Sequence, residues 1–167
     1  MNQKDLDKIQ KILQEHSNMA ELNQFVVSNK EKSIIGTSAL AVCDGIVFYD
    51  RNNKWGMVGH AVDSYKIELL SEMLKSLPND KEQVIEYAII PGYDNVVNGN
   101  LGDVNKMDNY LKNNCPPNIK LFPLQTDSLG IQLSQNYAYE FAFDVDSGMS
   151  VSEWFFVKND NKKHNLR

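Results

Sequence analysis

A thiol and an imidazole stand with sixteen residues between them in the stretch Thr37 to His60, TSALAVCDGIVFYDRNNKWGMVGH. They are one of two cysteines and one of three histidines in the chain. A lone thiol is mostly protonated near neutral pH, whereas an adjacent imidazole takes the proton and stabilises the thiolate. The thiolate attacks a carbonyl carbon, and the imidazolium then protonates a departing amine. A third group must hold the ring in the right tautomer and orientation. On an ordinary hairpin the same residues would be a small buried strand position and a satisfied polar neighbour. Position decides between the two readings.

The apolar runs CDGIVFYD (43–50) and WGMVGHAV (55–62) flank the turn-like RNNK and predict a β-hairpin. In an antiparallel pair, directly opposed residues share a face. A two-residue loop, Arg51-Asn52, sets Cys43 opposite His60. A four-residue loop, Arg51 to Lys54, sets His60 opposite Gly45, diagonal to Cys43 on the same face. A three-residue loop splits them onto opposite faces. Gly45 and Gly59 would admit a substrate backbone beside the pair, and the Cys43 amide is a candidate oxyanion donor. Asp44 and Asp63 are alternative partners for the ring, and each also reads as a solvated strand position or a helix cap.

The elements that must carry this hairpin follow from periodicity. Leu6, Ile9, Ile12 and Leu13 predict an amphipathic helix over 3–16, closed near His16. Residues 24–27 and 33–37 read as short strands around the polar turn SNKEK. Asp63 or Ser64 is placed to cap a helix with Ile67, Leu70, Leu74 and Leu77 on its buried stripe, stopped near Pro78. Residues 83–90 read as a strand buried on both faces, and PGYDNVVNGNLG (91–102) as a loop that is the expected substrate-facing edge. Val104, Met107, Tyr110 and Leu111 mark a third helix, ended by NNCPPN, where Cys115 is incidental. Strands follow at 119–124 and at 137–145, the latter half-buried by its alternation, then a DSG turn, a partner strand and a flexible tail over 158–167 with His164. Trp55, Trp154 and the tyrosines at 137 and 139 are candidates for a peptide groove or for plain core. The class expected is α+β, a layered α/β sandwich with mixed or antiparallel sheets and helices on the outer faces, in one domain over 1–157.

Composition bounds the rest. Over 167 residues, 42% are hydrophobic and 23% charged, with a formal charge of −5, which suits a soluble globular domain. No basic cluster offers itself to nucleic acid, and no apolar run is long enough for a bilayer. The polar start MNQKDLDKIQ has no signal-peptide core, so the expected location is the cytoplasm; an effector exported without such a signal would read the same. No cofactor or metal-ligand cluster is expected.

The spacing Thr37-x5-Cys43-x16-His60 resembles, without gaps, the Thr, Cys and His positions of the CheD family, the chemoreceptor glutamine deamidases. SII leading into Thr37, Asp50 closing the strand and KWGMVGH approaching the histidine resemble the family too. Weaker similarity continues through LGDVNKMDNYL, TDSLG and FDVDSGMSVS, so the likeness covers roughly 33–152. The family's fold and Cys–His chemistry are shared with glutamine-deamidating toxins of the cytotoxic necrotizing factor type. Ala41-Val42 stands where the family carries Gly-Ser, and IIPGYDN keeps one glycine of a later pair. A rival register puts Ala39 at the nucleophile's place, at the expense of an insertion before Asp50 and the loss of Thr37.

The resemblance implies a cysteine hydrolase that converts protein glutamine to glutamate. Cys43 would be the nucleophile, His60 base and then acid, and Thr37 the group orienting the ring. The partner implied is a protein with an accessible glutamine, a chemoreceptor or a host protein, with a chemotaxis phosphatase as a further partner. The alternatives are a catalytically impaired binding module on the same fold, and a redox-sensing thiol protein using Cys43.

Overall fold

The computed structural model describes residues 17–78, 80–124, 132–133 and 139–151, with positions 3, 4, 7, 8, 11 and 15 ahead of them. Two sheets form. The first runs β1 (Ser17–Ala20), β3 (Ile34–Leu40), β9 (Tyr139–Asp144), β10 (Met149–Ser150), with the short β8 (Gln132–Leu133) also on β9. The second runs β2 (Phe25–Val27), β5 (Trp55–Ala61), β4 (Asp44–Asp50), β6 (Gln83–Ile90), β7 (Ile119–Pro123). The helices are α1 (Lys66–Lys75), α2 (Tyr93–Val97) and α3 (Gly102–Asn114). β1–β3 and β6–β7 are parallel and the other pairs antiparallel, so the chain is an α+β sandwich with mixed sheets.

β4 is buried along its whole length, which is why IVFY reads as a continuous apolar run. Val47 and Tyr49 face the first sheet, with Ile35, Val58, Phe141, Phe143 and Val145. Ile46 and Phe48 face the helices, with Met57, Leu69, Leu70, Met73 and Met107. α1 presents Leu69, Leu70, Met73 and Leu74 to the second sheet, so the buried stripe includes Leu70 and Leu74 while Ile67 is only half-buried. Tyr87 on β6 docks α3, its hydroxyl donating to Asp108 Oδ1 at 2.6 Å. Burial and that carboxylate push the Tyr87 phenol up to about 12.

The strands at 24–27 and 33–37 form as expected, on different sheets. β2 joins β5 and β3 joins β1 and β9, because Phe25 and Val27 pack with the helix-side core while Ile35 fills the space between the sheets. Several sequence expectations change. The residue at the N-cap of α1 is neither Asp63 nor Ser64, and it makes no side-chain cap bond. Asp63–Tyr65 form a 3₁₀ turn, and Tyr65 stands at the N-cap position. The stretch 91–102 is not all loop, since Tyr93–Val97 is helical. β9 is covered on both faces, with Phe141 and Phe143 inward and Ala142 against Ile34 and Val151. In the expected helix over 3–16 the six described positions are helical. Its stripe Leu6, Ile9, Ile12 and Leu13 lies outside the described residues, as do His16, Tyr137, Trp154, the TDSLG segment and the tail 158–167.

Candidate functional site

Asp50 fixes the hairpin. Its buried carboxylate accepts the Asn53 amide N–H at 2.9 Å and the Asn53 side-chain amide at 2.6 Å. These bonds close Arg51 to Lys54 into a loop, with Asp50 paired to Trp55 and Lys54 in the left-handed region at φ 54°. The four-residue register follows, and Gly45 pairs with His60. Cys43 stands in the bend just before β4, and its side chain packs in the same between-sheet cluster as Val47, Tyr49 and Val58.

The face that carries His60 looks toward the first sheet, and Thr37 comes to it from β3. Thr37 is fully buried, and its Oγ1 lies 2.9 Å from His60 Nδ1 and 2.9 Å from the Ala20 carbonyl oxygen. A hydroxyl carries one proton. The carbonyl can only accept, so Thr37 donates to Ala20 and accepts from Nδ1–H. The network therefore assigns the Nδ1–H tautomer and leaves the lone pair on Nε2. That nitrogen is buried and has no hydrogen-bond partner among the described residues. Burial holds the ring's pKa below its ordinary 6.5, so His60 is neutral at neutral pH and able to take a proton.

A depressed histidine pKa couples folding to pH. Between the folded and unfolded values the unfolded chain binds more protons, so His60 stabilises the fold fully above pH 6.5 and loses that contribution as pH falls. We expect the stability gap between wild type and His60→Asn, followed by urea denaturation from about pH 7.5 to pH 5.5, to narrow toward acid. A gap that stays constant or widens would contradict the buried, neutral ring.

Cys43 is reached by a break in β3. Its pairing with β9 shifts between Thr37 and Leu40, where Ala39 adopts φ 58°. A left-handed alanine costs about 1–2 kcal/mol. It leaves Ser38 and Ala39 exposed and turns both Thr37 and Leu40 inward. The residues 41–43 then return the chain to the core, with Val42 50% exposed and Cys43 at 6%. Val42 thus projects its side chain outward rather than into the site.

The segment after β6 clamps this turn. Asp94 N–H donates to Ala41 O at 3.1 Å, and the Asn95 side-chain amide donates to Val42 O at 3.1 Å. Gly92 is pressed against the carbonyls of Ala41 and Cys43 so closely that a Cβ would overlap both. Asp44 completes the clamp. Its Oδ1 accepts from Gly92 N–H at 3.2 Å and Asn95 Nδ2 at 3.1 Å, and its Oδ2 is ion-paired with Lys66 Nζ at 2.9 Å. Lys66 also pairs with Asp103 of α3 at 3.0 Å. Burial pulls the Lys66 ammonium's pKa down, but hydrogen bonds to Asp44 and Asp103 more than offset that and leave it raised.

The structure thus brings Thr37 and His60 together and buries the Cys43 side chain between the same two sheets. Asp44 does not orient the ring; it faces Lys66. Gly45 does not open the site, since a Cβ there would meet Leu40 and Phe141, and Gly59 faces Met73 of α1. Trp55 packs with the helix-side core rather than in a groove. Cys115 is half-buried, its sulfur donating to Ile119 O at 3.6 Å, and burial pushes its thiol up. Asn95, Lys66 and the Ala20 carbonyl carried no local sequence signal as site residues, while Gly92 was marked only as the glycine kept in IIPGYDN and Asp44 only as a candidate partner for the ring. Each acts through a partner distant in sequence.

Fold and site together define an α+β sandwich with a Thr37–His60 hydrogen bond and the Cys43 side chain buried between its sheets. No family model matches the chain, and no curated protein matches its sequence. Among the described residues no group of three or more His, Cys, Asp or Glu side chains could hold a metal ion. No described helix is long and apolar enough to cross a membrane.

Proposed function

We propose that the protein is a cysteine hydrolase that deamidates glutamine side chains of a protein substrate. The observation that carries this reading is the Thr37–His60 hydrogen bond at 2.9 Å, whose tautomer leaves Nε2 as a base between the sheets, where the Cys43 side chain is also buried. The ungapped resemblance of Thr37, Cys43 and His60 to the CheD family supports the choice of substrate.

In this mechanism His60 Nε2 takes the Cys43 thiol proton, and the thiolate attacks the carboxamide carbon of glutamine. The tetrahedral intermediate collapses as the imidazolium gives its proton to the departing nitrogen, releasing ammonia and leaving a thioester on Cys43. Water, deprotonated by His60, attacks the thioester carbonyl, and Cys43 leaves as the thiol with glutamate as product. Thr37 keeps the ring in one tautomer through both halves. The substrate is a chemoreceptor or a host protein, and the protein acts in the cytoplasm or as an exported effector.

The test incubates wild type and Cys43→Ala with a panel of chemoreceptors and with host-cell lysate, and maps glutamine-to-glutamate conversion by mass spectrometry. Conversion by wild type alone is the expected result. Equal absence of product from both proteins across the panel would sink the enzyme reading. It would favour a binding module, for which the exposed Val42 beside Cys43 is the supporting feature. Binding of a chemotaxis phosphatase, equal in wild type and Cys43→Ala, would then be the observation to seek.

A further inference from the structure

α2 buries none of its residues, so apolar packing does not explain why the chain places this turn against the sandwich. Its contacts are polar and converge on one short stretch. Three successive carbonyls, those of Ala41, Val42 and Cys43, are met by Asp94 N–H, the Asn95 amide and the Gly92 backbone. The Asn95 side chain bonds groups on both sides of the nucleophile's position. Its Nδ2 bonds the carbonyl of Val42 before Cys43 and the carboxylate of Asp44 after it, each at 3.1 Å. Asp44 is in turn held by Lys66.

We propose that Asn95 is a positioning residue for Cys43, holding the turn at the angle that presents the thiol to His60 Nε2. The inference rests on the reading of Cys43 as nucleophile and His60 as its base. It gives the turn a source of rigidity outside its own sequence, since neither Ala41 nor Val42 forms a side-chain clamp and Ala39 stores strain just upstream. A side-chain amide suits the task because its two N–H bonds reach two acceptors at once. Alanine reaches neither, and aspartate would set a second carboxylate against Asp44.

The test reads Cys43 directly by peptide-resolved alkylation with iodoacetamide, so it needs no protein substrate. Wild type, Asn95→Ala, Asn95→Asp and His60→Ala are compared at about pH 7 and about pH 9.5, below and above the ordinary thiol range. Misplacing the thiol relative to its base should slow alkylation of both Asn95 variants about tenfold at the lower pH. At the higher pH, where hydroxide removes the proton, the difference should shrink to within about twofold. A merely structural role predicts the opposite sign, because a loosened turn exposes the thiol and speeds alkylation at both pH values. Rates unchanged or raised in the isosteric Asn95→Asp variant would overturn the proposal. If His60→Ala leaves the rate at the lower pH untouched, the Cys–His pairing fails, and the positioning role falls with it. A rate that depends on His60 but not on Asn95 overturns the positioning role alone.

Discussion

His60→Ala is expected to lower the proposed deamidation by roughly six orders of magnitude, the scale of loss on removing the base where base and nucleophile act as one unit. In the proposed mechanism Nε2 is the group that accepts the thiol proton and returns it to the departing nitrogen, and alanine does neither. Thr37 offers a finer test of the same logic. In Thr37→Val the isosteric methyl can neither donate to Ala20 O nor accept from Nδ1–H. The ring is then no longer held in one tautomer, and the Nε2–H form cannot act as base toward Cys43. A loss of about 10²-fold in turnover, with substrate binding kept, is expected from that change. Thr37→Ser restores the hydroxyl and should recover most of it. Steady-state rates on a glutamine-containing substrate that the wild type converts decide the matter. If Thr37→Val matches wild type while His60→Ala is inactive, the ring is oriented by something other than Thr37.

The second large effect is on stability. Lys66→Met should cost about 3–5 kcal/mol, because it strands the Asp44 carboxylate, whose side chain is 0% exposed, without its countercharge. The bonds from Gly92 and Asn95 satisfy only Oδ1. Asp103 adds little to the wild-type balance, since its side chain is 46% exposed and screened by water. Asp44→Asn combined with Lys66→Met should return most of the loss, because the asparagine carbonyl keeps both acceptor bonds and no charge stays buried. Chemical denaturation of the two single variants and the double measures this directly. A double variant no more stable than Lys66→Met would mean that the pair matters through packing of the lysine stem rather than through charge.

Part of the site was legible because it is local. The hairpin shows in its two apolar runs, whereas loops of two, three and four residues were all compatible with the sequence; the Asp50–Asn53 bonds of the folded chain decide for four. α1 was legible from the spacing of Leu70 and Leu74, and β4 from its unbroken apolar run. The segment 91–102 was misread because its Gly and Asn content signals a turn, while the helix within it is held by polar bonds to the strand turn 41–44.

The sequence by itself determined the hairpin, from two apolar runs around a polar turn, and the α+β class, from the order of strands and helices along the chain. It left open the loop length that decides whether thiol and imidazole share a face. Tertiary structure alone decided what meets that face. Thr37 reaches His60 across the gap between two sheets, Ala20 sets the direction of its hydroxyl, and Gly92 and Asn95 close on the turn that carries Cys43 from 48 and 51 residues beyond Asp44. Hydrophobic patterning reports which side chains turn inward. It does not report which inward-facing groups will be neighbours, because that depends on how the sheets stack and how the chain crosses between them.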